Sequence, residues 1–198
     1  MYQQYHEGWI EVICGCMFAG KSEELIRRIH VLSYAKKKIQ VFKPRMDDRY
    51  AIDAVASHNG TRIPCHAVRD TNELASLVEK DSDVIAIDEV QFFDEAIVGL
   101  CERYANEGKR VMVAGLDLDF RGEPFGIMGE LLAKSEFVTK LTAVCTCCGA
   151  PATRSQRLIN GHPAAYDEKV VLVGAKECYE ARCRHHHVVI QTSQKREG

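Results

Sequence analysis

Short apolar runs alternate with amphipathic stretches along the first two thirds of the chain. Uninterrupted apolar runs are typical of strands that are buried on both faces of a sheet. Such runs predict strands at residues 9–14, 39–43, 84–87 and 110–114, with a further short strand near 63–68. Apolar residues at helical spacing predict helices at residues 21–37, 72–79 and 95–106. This alternation predicts right-handed βαβ units around a central parallel sheet, so the expected fold class is α/β.

Two segments depart from this alternation. Residues 45–60 follow neither period and are predicted to form a loop. Beyond about residue 141, turn residues and cysteines replace the long helices, and Asn160-Gly161 is a strong signal for a two-residue hairpin turn. We therefore predict a core over residues 1–141, a small second domain over residues 142–191 and a frayed tail over residues 192–198.

The composition is that of an ordinary globular protein, with 46% hydrophobic and 27% charged residues. Lys and Arg number 26 against 28 Asp and Glu, and this near balance argues against a dedicated nucleic-acid-binding protein. No apolar run is long enough to span a membrane, and the first residues lack the pattern of a signal peptide. We therefore expect a cytoplasmic protein with neither a nucleic-acid nor a membrane partner.

Residues 15–22 read GCMFAGKS and match the phosphate-binding pattern G-x-x-x-x-G-K-[ST] at each fixed position. Glycines let the backbone curl so that its N–H groups point at phosphate oxygens. Lys21 would neutralise the β and γ phosphates, and the Ser22 hydroxyl would ligate Mg²⁺. The position between a predicted strand and a predicted helix favours ATP binding over a chance match. The residues predicted to form this loop are Gly15, Cys16, Met17, Phe18, Ala19, Gly20, Lys21 and Ser22.

Cys16 lies just before a predicted helix N-terminus and close to Lys21. Such a setting tends to lower the pKa of a thiol, so one hypothesis is a reactive cysteine that ATP protects. The alternative is a small residue that only fills space.

Asp88 and Glu89 follow the apolar run at residues 84–87, as the acidic residues of a Walker B strand do. Asp88 would hold Mg²⁺ opposite Ser22, directly or through water. Glu89 would accept a proton from the attacking hydroxyl or water. The motif alone leaves open whether that group is water or a substrate alcohol.

Two pairs near the C-terminus, Cys145-x-x-Cys148 and Cys183-x-x-His186, have the spacing of tetrahedral zinc ligands. Each pair supplies half of a tetrahedron. Four protein ligands leave no open position, so the predicted Zn²⁺ is structural. It would close the segment between the pairs, which has little core of its own.

Neighbouring residues compete for this metal. Cys147 is an alternative to Cys148, and His185, His186 and His187 are consecutive, although spacing favours Cys148 and His186. The cysteines could also pack as small apolar residues without a metal. Cys178 lies outside both pairs and is predicted to be structural filler.

The phosphate loop, IDEVQFF at residues 87–93, LDLDFRGEPFG at residues 116–126 and the two zinc pairs together resemble the type II thymidine kinase family. The resemblance covers almost the whole chain. It implies a RecA-like P-loop core with a zinc-ribbon-like lasso domain, and Mg²⁺-ATP and thymidine as substrates, with deoxyuridine left open as a second acceptor. It also implies feedback inhibition by thymidine triphosphate and a homotetramer.

The resemblance also implies roles for single residues. Glu89 would be the base that takes the proton from the nucleoside 5′-hydroxyl. The ATP contacts beyond the loop would come from Asp88, Glu89, Val90 and Gln91. Thymine would be held by the backbone of Val171, Leu172, Val173 and Gly174. The base pocket would be walled by Met17, Phe92, Leu116, Phe120, Phe125 and Tyr179. Asn59 stands where the family pattern has an acidic residue.

Two other functions share parts of this pattern. A RecA-like ATPase, in which Glu89 activates water, predicts ATP hydrolysis without a nucleoside. A zinc-ribbon nucleic-acid-binding protein with a nucleotide switch predicts polynucleotide affinity with a steep salt dependence. The near-neutral charge argues against the second alternative. The sequence favours transfer of the γ-phosphoryl of ATP to thymidine, which yields thymidine monophosphate for DNA synthesis.

Overall fold

A computed structural model of the chain describes residues 8–45, 54–56, 62–171 and 177–191. The strands are β1 (Trp9–Gly15), β2 (Ile39–Pro44), β3 (Ala54–Ala56), β4 (Arg62–Pro64), β5 (His66–Val68), β6 (Val84–Ile87), β7 (Arg110–Gly115), β8 (Phe137–Leu141), β9 (Ala143–Val144), β10 (Pro151–Ala152), β11 (Arg154–Ile159), β12 (His162–Pro163) and β13 (Glu177–Arg182). The helices are α1 (Lys21–Tyr34), α2 (Thr71–Leu77), α3 (Ala96–Asn106) and α4 (Met128–Lys134), and a 3₁₀ turn spans Val90–Phe92. No helix among the described residues is both long and apolar enough to cross a membrane.

Six parallel strands form the central sheet in the order β5-β2-β6-β7-β1-β8. This confirms the predicted α/β class. β7 lies between β1, which leads into the phosphate loop, and β6, which ends at the acidic pair. Because parallel strands end at the same edge of a sheet, the loops that follow β1, β6 and β7 meet there.

Helices cover both faces of this sheet, which explains the continuous apolar runs. In β6, Val84 and Ala86 pack in the cluster that contains α1 residues such as Leu25. The alternate residues Ile85 and Ile87 pack in the opposite cluster, with residues of α3 and α4. All of β6 is therefore buried, and a fully buried aliphatic side chain stabilises a fold by about 1.5–3 kcal/mol.

The apolar pattern of the sequence did not predict α4 or β8. α4 is as short as α2, with seven residues, but it lacks a capping side chain like that of Asp70, which accepts a hydrogen bond at the start of α2. β8 is an edge strand of the sheet whose residues are mostly exposed, so it lacks the apolar run that marks the central strands.

The predicted strand near residues 63–68 was wrong in detail, because the structure has two strands there. β4 pairs antiparallel with β3, whereas β5 pairs parallel with β2 and completes the sheet edge. β3 also lies inside the stretch that was predicted to be a loop. The remaining residues of that loop, 46–53 and 57–60, include Asn59 and lie outside the described residues.

The C-terminal part contains the hairpin of β9 and β10 and the three-stranded sheet β12-β11-β13. The hairpin turn predicted at Asn160-Gly161 is confirmed, since Ile159 pairs with His162 across it. Both turn residues have positive φ, 51° and 81°, as a type I′ turn requires. This part packs directly on the phosphate loop, because the Cys16 thiol donates to the Ala152 carbonyl at 3.3 Å.

Candidate active site

The phosphate loop needs glycine at both fixed positions, for different reasons. Gly15 has φ 145°, and a Cβ there would lie 2.4 Å from the carbonyl oxygen of Leu141 on the neighbouring strand. Gly20 adopts the left-handed conformation, with φ 82° and ψ 24°, immediately before α1. The predicted strand–loop–helix arrangement is therefore present, with α1 beginning at Lys21.

The Lys21 side chain is folded over its own loop. It is only 8% exposed, and its Nζ donates to the Cys16 carbonyl oxygen at 3.0 Å. A buried ammonium group requires such an acceptor. A bound triphosphate would offer charged oxygens in place of this carbonyl, and hydrogen bonds to charged acceptors are the stronger ones.

Ser22 and Asp88, the two predicted Mg²⁺ ligands, are in direct contact. The Ser22 hydroxyl donates to Asp88 Oδ2 at 2.9 Å. Adjacent ligand oxygens of an octahedral Mg²⁺ lie about 3.0 Å apart, because each Mg–O bond is about 2.1 Å. The start of α1 and the end of β6 therefore bring two oxygens to a separation that one Mg²⁺ would bridge.

Burial raises the pKa of the Asp88 carboxyl to about 6, and the charge of Glu89 acts in the same direction. The hydrogen bonds from Ser22 and from the Glu89 backbone N–H oppose the shift only in part. The ionised form of Asp88 therefore destabilises the folded protein when no cation is bound. Perturbed pKa values of this kind cluster at functional sites.

Asp88→Asn is expected to stabilise the protein in buffer without Mg²⁺ and nucleotide. The pKa of Asp88 in the folded state lies above its ordinary value of 3.8, so the penalty is present above about pH 6 and disappears as the pH falls toward 4. We expect a Tm gain of about 5–10 °C at pH 8 that vanishes near pH 4, measured by thermal melts. The exposed Asp167→Asn is the control, and an equal gain in both variants, or one independent of pH, would contradict the interpretation.

Glu89 has an unusual backbone conformation for a residue other than glycine. Its φ of 51° and ψ of 40° are left-handed, and such strain costs about 1–3 kcal/mol. Its N–H donates to Asp88 Oδ1 at 3.0 Å, and the 3₁₀ turn Val90–Phe92 follows at once. The sharp bend turns the chain immediately after the strand, and strained residues of this kind cluster at functional sites.

Val90 and Gln91 were predicted to contact ATP, and both lie in the 3₁₀ turn directly after the acidic pair. The Val90 side chain is fully buried in the apolar cluster between the sheet and α3. The Gln91 amide instead joins two other groups, with Oε1 accepting from the Leu116 N–H at 3.1 Å and Nε2 donating to Glu89 Oε2.

The structure brings together Cys145, Cys148, Cys183 and His186, whose ligand atoms all lie within 4.8 Å of one another. The sulfurs of Cys148 and Cys183 are 3.8 Å apart. That separation excludes a disulfide, and it equals the edge of a tetrahedron, about 3.8 Å, for Zn–S bonds of about 2.3 Å. This set could hold a metal ion, and its three sulfurs and one imidazole nitrogen suit Zn²⁺.

The competing residues Cys147, His185 and His187 lie outside this group of converging ligand atoms. Cys147 is exposed and accepts a hydrogen bond from Arg182, and His185 is exposed. The His187 ring shares a hydrogen bond with the Phe120 carbonyl through Nε2 at 2.8 Å, so that nitrogen is its donor. Cys178, predicted to be filler, is exposed on β13.

The surroundings of Cys145 favour its thiolate, which is the form that binds a metal. Burial disfavours its thiolate, but hydrogen bonds with the backbone of Cys183, Cys147 and Cys148 outweigh that effect and lower its pKa to about 6. Zinc ligands must be deprotonated, so this arrangement favours binding at neutral pH.

One face of the β11–β13 sheet lies against the phosphate loop. Ser155 on β11 accepts a hydrogen bond from the Met17 backbone N–H at 3.0 Å. Arg157, two residues further, shares the face of Ser155, and Tyr179 lies directly opposite Arg157 on β13. Tyr179 is therefore on the face of the sheet that meets the phosphate loop at Met17.

Phe120 is held between the core and the same sheet. The guanidinium carbon of Arg157 lies 5.0 Å from the centre of its ring, within the range of a cation–π contact. Its carbonyl receives the His187 hydrogen bond described above. The residue that follows the proposed metal ligand His186 thus contacts a residue of the expected base pocket.

The remaining expected pocket residues are distributed over the sheet edge. Phe92 and Phe125 pack edge to face, with ring centres 5.6 Å apart. Leu116 is half-buried directly after β7, and Val171 is exposed. Leu172, Val173 and Gly174 lie outside the described residues.

The expected lowering of the Cys16 pKa was wrong. Burial raises the pKa of its thiol, and this effect exceeds the lowering by Lys21. The thiol is buried and donates to Ala152, so Cys16 joins the phosphate loop to the C-terminal part.

Three residues with contacts at the site gave no signal in the sequence, namely Ser155, Arg157 and His187. Serine and arginine in a strand normally indicate a solvated face, and His187 looked like a surplus ligand candidate. Only the pairing of β11 with β13 and the docking of this sheet against the loop reveal their contacts.

A comparison with protein families is consistent with this geometry. The family model described as "TK: Thymidine kinase" matches residues 8–187, which covers the phosphate loop, the acidic pair and the Cys/His cluster.

Proposed function

The chain belongs to the thymidine kinase family, which makes it an ATP-dependent nucleoside kinase, and we propose that Glu89 is the base of its phosphoryl transfer. The observation that carries this proposal is that one carboxylate, Asp88, accepts hydrogen bonds from both the Ser22 hydroxyl and the Glu89 backbone N–H. It brings a phosphate loop and a strained acidic residue to one edge of the sheet. ATP and thymidine are the substrates that the family implies.

In the proposed mechanism, residues 15–22 hold the triphosphate of ATP. Lys21 exchanges its contact with the Cys16 carbonyl for the β and γ phosphates. Ser22 and Asp88 would hold Mg²⁺, which would supply neutralisation of phosphate charge. Glu89 accepts the proton of the thymidine 5′-hydroxyl while that oxygen attacks the γ-phosphorus in line. Positioning and charge neutralisation supply most of the rate.

Thymidine would lie between the core and the C-terminal part. An apolar slot with a few polar groups suits a small planar base. The proposed walls are Met17, Phe92, Leu116, Phe120, Phe125 and Tyr179, with backbone contacts from Val171, Leu172, Val173 and Gly174. Such a slot excludes water and so suppresses idle hydrolysis. Deoxyuridine, which lacks only the base methyl group, is proposed as a weaker acceptor.

Release of ADP with and without thymidine tests this function. We expect release to depend on thymidine, with deoxyuridine giving slower turnover and polynucleotide no stimulation. Release that is indifferent to thymidine would instead support an ATPase in which Glu89 activates water.

Lys21→Ala is expected to weaken both ATP binding and transfer, because the ammonium group would contact phosphates in both states. Hydrogen bonds to charged groups are worth about 1.5–3 kcal/mol, so kcat/KM for ATP should fall about 10- to 100-fold. Steady-state kinetics with varied ATP measure this, with Lys134→Ala as the control, since that lysine pairs with Glu102 and Glu130 at the surface. An unchanged kcat/KM would show that Lys21 does not contact the phosphates of ATP.

We propose that Cys145, Cys148, Cys183 and His186 bind a structural Zn²⁺ and so organise a lasso domain over residues 142–191, separate from a kinase core over residues 1–141. The geometry of the four ligand atoms supports this assignment. The contacts of Met17 with Ser155 and of Phe120 with His187 suggest that the metal-bound domain holds the base pocket in shape.

We further propose a cytoplasmic homotetramer that thymidine triphosphate inhibits from the acceptor site. Nine cysteines without a disulfide suit a reducing compartment. Exposed apolar residues of α1 and β8 support burial in an assembly, notably Tyr34 at 89% and Val31 at 56% exposure. Light scattering measures the assembly, and inhibition competitive with thymidine would support the proposed inhibitor site.

A further inference from the structure

The side chain of Gln91 is held at both ends. Its Oε1 accepts a hydrogen bond from the Leu116 N–H at 3.1 Å, and its Nε2 donates to Glu89 Oε2. Gln91 is only 4% exposed, so its amide is largely shielded from water. The amide therefore connects the chain just after β7 with the side chain of the proposed base.

Chemistry dictates the orientation of this amide. A backbone N–H only donates, so the group of Gln91 that faces Leu116 must be the oxygen. The amino group then faces the carboxylate of Glu89, which only accepts when ionised. The reversed amide would set donor against donor at one end and acceptor against acceptor at the other.

Gly115 leaves the space that this arrangement requires. A Cβ at Gly115 would lie 2.5 Å from Gln91 Oε1 and 3.1 Å from a methyl carbon of Val90. The φ of Gly115 is not positive, so its backbone does not call for glycine. The requirement comes instead from the closeness of the Gln91 oxygen, which must pass the end of β7 to reach the Leu116 N–H.

From this geometry we propose that Gln91 is a positioning residue for the Glu89 carboxylate, an inference that rests on Glu89 being the base. The bond from Nε2 holds Oε2, which limits rotation of the carboxylate about its last side-chain bond. Among the hydrogen bonds of the described residues, none reaches Oε1 of Glu89. That oxygen is thereby presented to the 5′-hydroxyl, whereas the resemblance had placed Gln91 among the ATP contacts.

Steady-state kinetics of variants at Gln91 and at Gly115 test this positioning role. Gln91→Glu keeps the acceptor for Leu116 but replaces the donor to Glu89 by a second carboxyl, and Gln91→Ala removes both contacts. We expect each to lower kcat about 10- to 100-fold, with KM for ATP and for thymidine within about threefold of wild type. Gly115→Ala should lower kcat in the same way although Gln91 is retained. Gly99→Ala, where an added Cβ meets nothing within 4 Å, is the matched control with near-normal kcat.

A double-mutant cycle separates positioning from a general structural effect. If Gln91 acts through Glu89, adding Gln91→Ala to Glu89→Gln should cost less than about threefold further in kcat. A full additional loss would overturn the proposal. So would a rise in KM for ATP at unchanged kcat, since Gln91 would then be an ATP ligand. Thermal melts accompany each variant, and Gln91→Glu decides the question if Gln91→Ala does not fold.

The experiments also distinguish a wrong assignment of Glu89 as the base from a wrong assignment of Gln91 as its positioning residue. If Glu89→Gln itself keeps near-normal turnover, Glu89 is not the base, whatever the Gln91 variants do. If Glu89→Gln is inactive and the Gln91 variants retain normal kcat, only the positioning role fails.

Discussion

Glu89→Gln should lower kcat about 10²–10⁴-fold while the Kd for ATP stays within about twofold of the wild-type value. The substitution preserves the size of the side chain and its oxygen acceptor for Gln91, but it removes the group that takes the proton. Pre-steady-state release of ADP measures the transfer step, and fluorescence titration with an ATP analogue measures binding.

The control for this variant is Glu95→Gln, which changes an exposed carboxylate at the start of α3 that caps no backbone group. Its kcat should match that of the wild-type protein. Near-normal kcat in Glu89→Gln would reject Glu89 as the base. A loss of ATP binding as large as the loss of turnover would show instead that the carboxylate serves the nucleotide site.

Cys183→Ala should lose the bound zinc and raise KM for thymidine about 100-fold or more. Cys183 Sγ lies 3.2 Å from His186 Nδ1 and 3.8 Å from Cys148 Sγ, so its removal opens one corner of the tetrahedron. Without the metal, the chain around His186 and His187 loses its constraint, and with it the contact to Phe120. Metal content by mass spectrometry and thymidine kinetics measure the two effects.

The parallel sheet should survive this substitution, because its two apolar clusters do not include the metal ligands. Far-UV circular dichroism is therefore expected to change little. Cys178→Ala is the matched control, since that cysteine is exposed and outside the Cys/His cluster. Retained zinc with normal kinetics in Cys183→Ala would refute Cys183 as a ligand of the structural metal, and global unfolding would refute a separate lasso domain.

The chemical motifs of this protein could be predicted from residues that are close together in the sequence. The curl of the phosphate loop depends on the conformation of Gly15 and Gly20 and on the helix that follows, all within eight consecutive positions. The turn at Asn160-Gly161 was equally readable, because it depends on two residues that tolerate positive φ. The central strands were predicted for a related reason, since burial on both faces requires a continuous apolar run.

Elements with weak local signals were not predictable. α4 is short and has no capping side chain at its start, unlike the equally short α2. β8 is an exposed edge strand that pairs with β1 although its sequence is not continuously apolar. The sequence also did not predict that residues 63–68 belong to two sheets. The two strands differ only in their partners, because β4 pairs with β3 and β5 pairs with β2.

Contacts between distant residues were decided by the tertiary structure alone. Met17 meets Ser155 across 138 positions of the chain, and His187 meets Phe120 across 67. Gln91 reaches both Glu89 and Leu116 only because β6 and β7 are neighbours and end at the same edge of the sheet. Local residue patterns encode which groups can do chemistry. Strand order and the packing of the C-terminal sheet on the loop determine which of those groups meet.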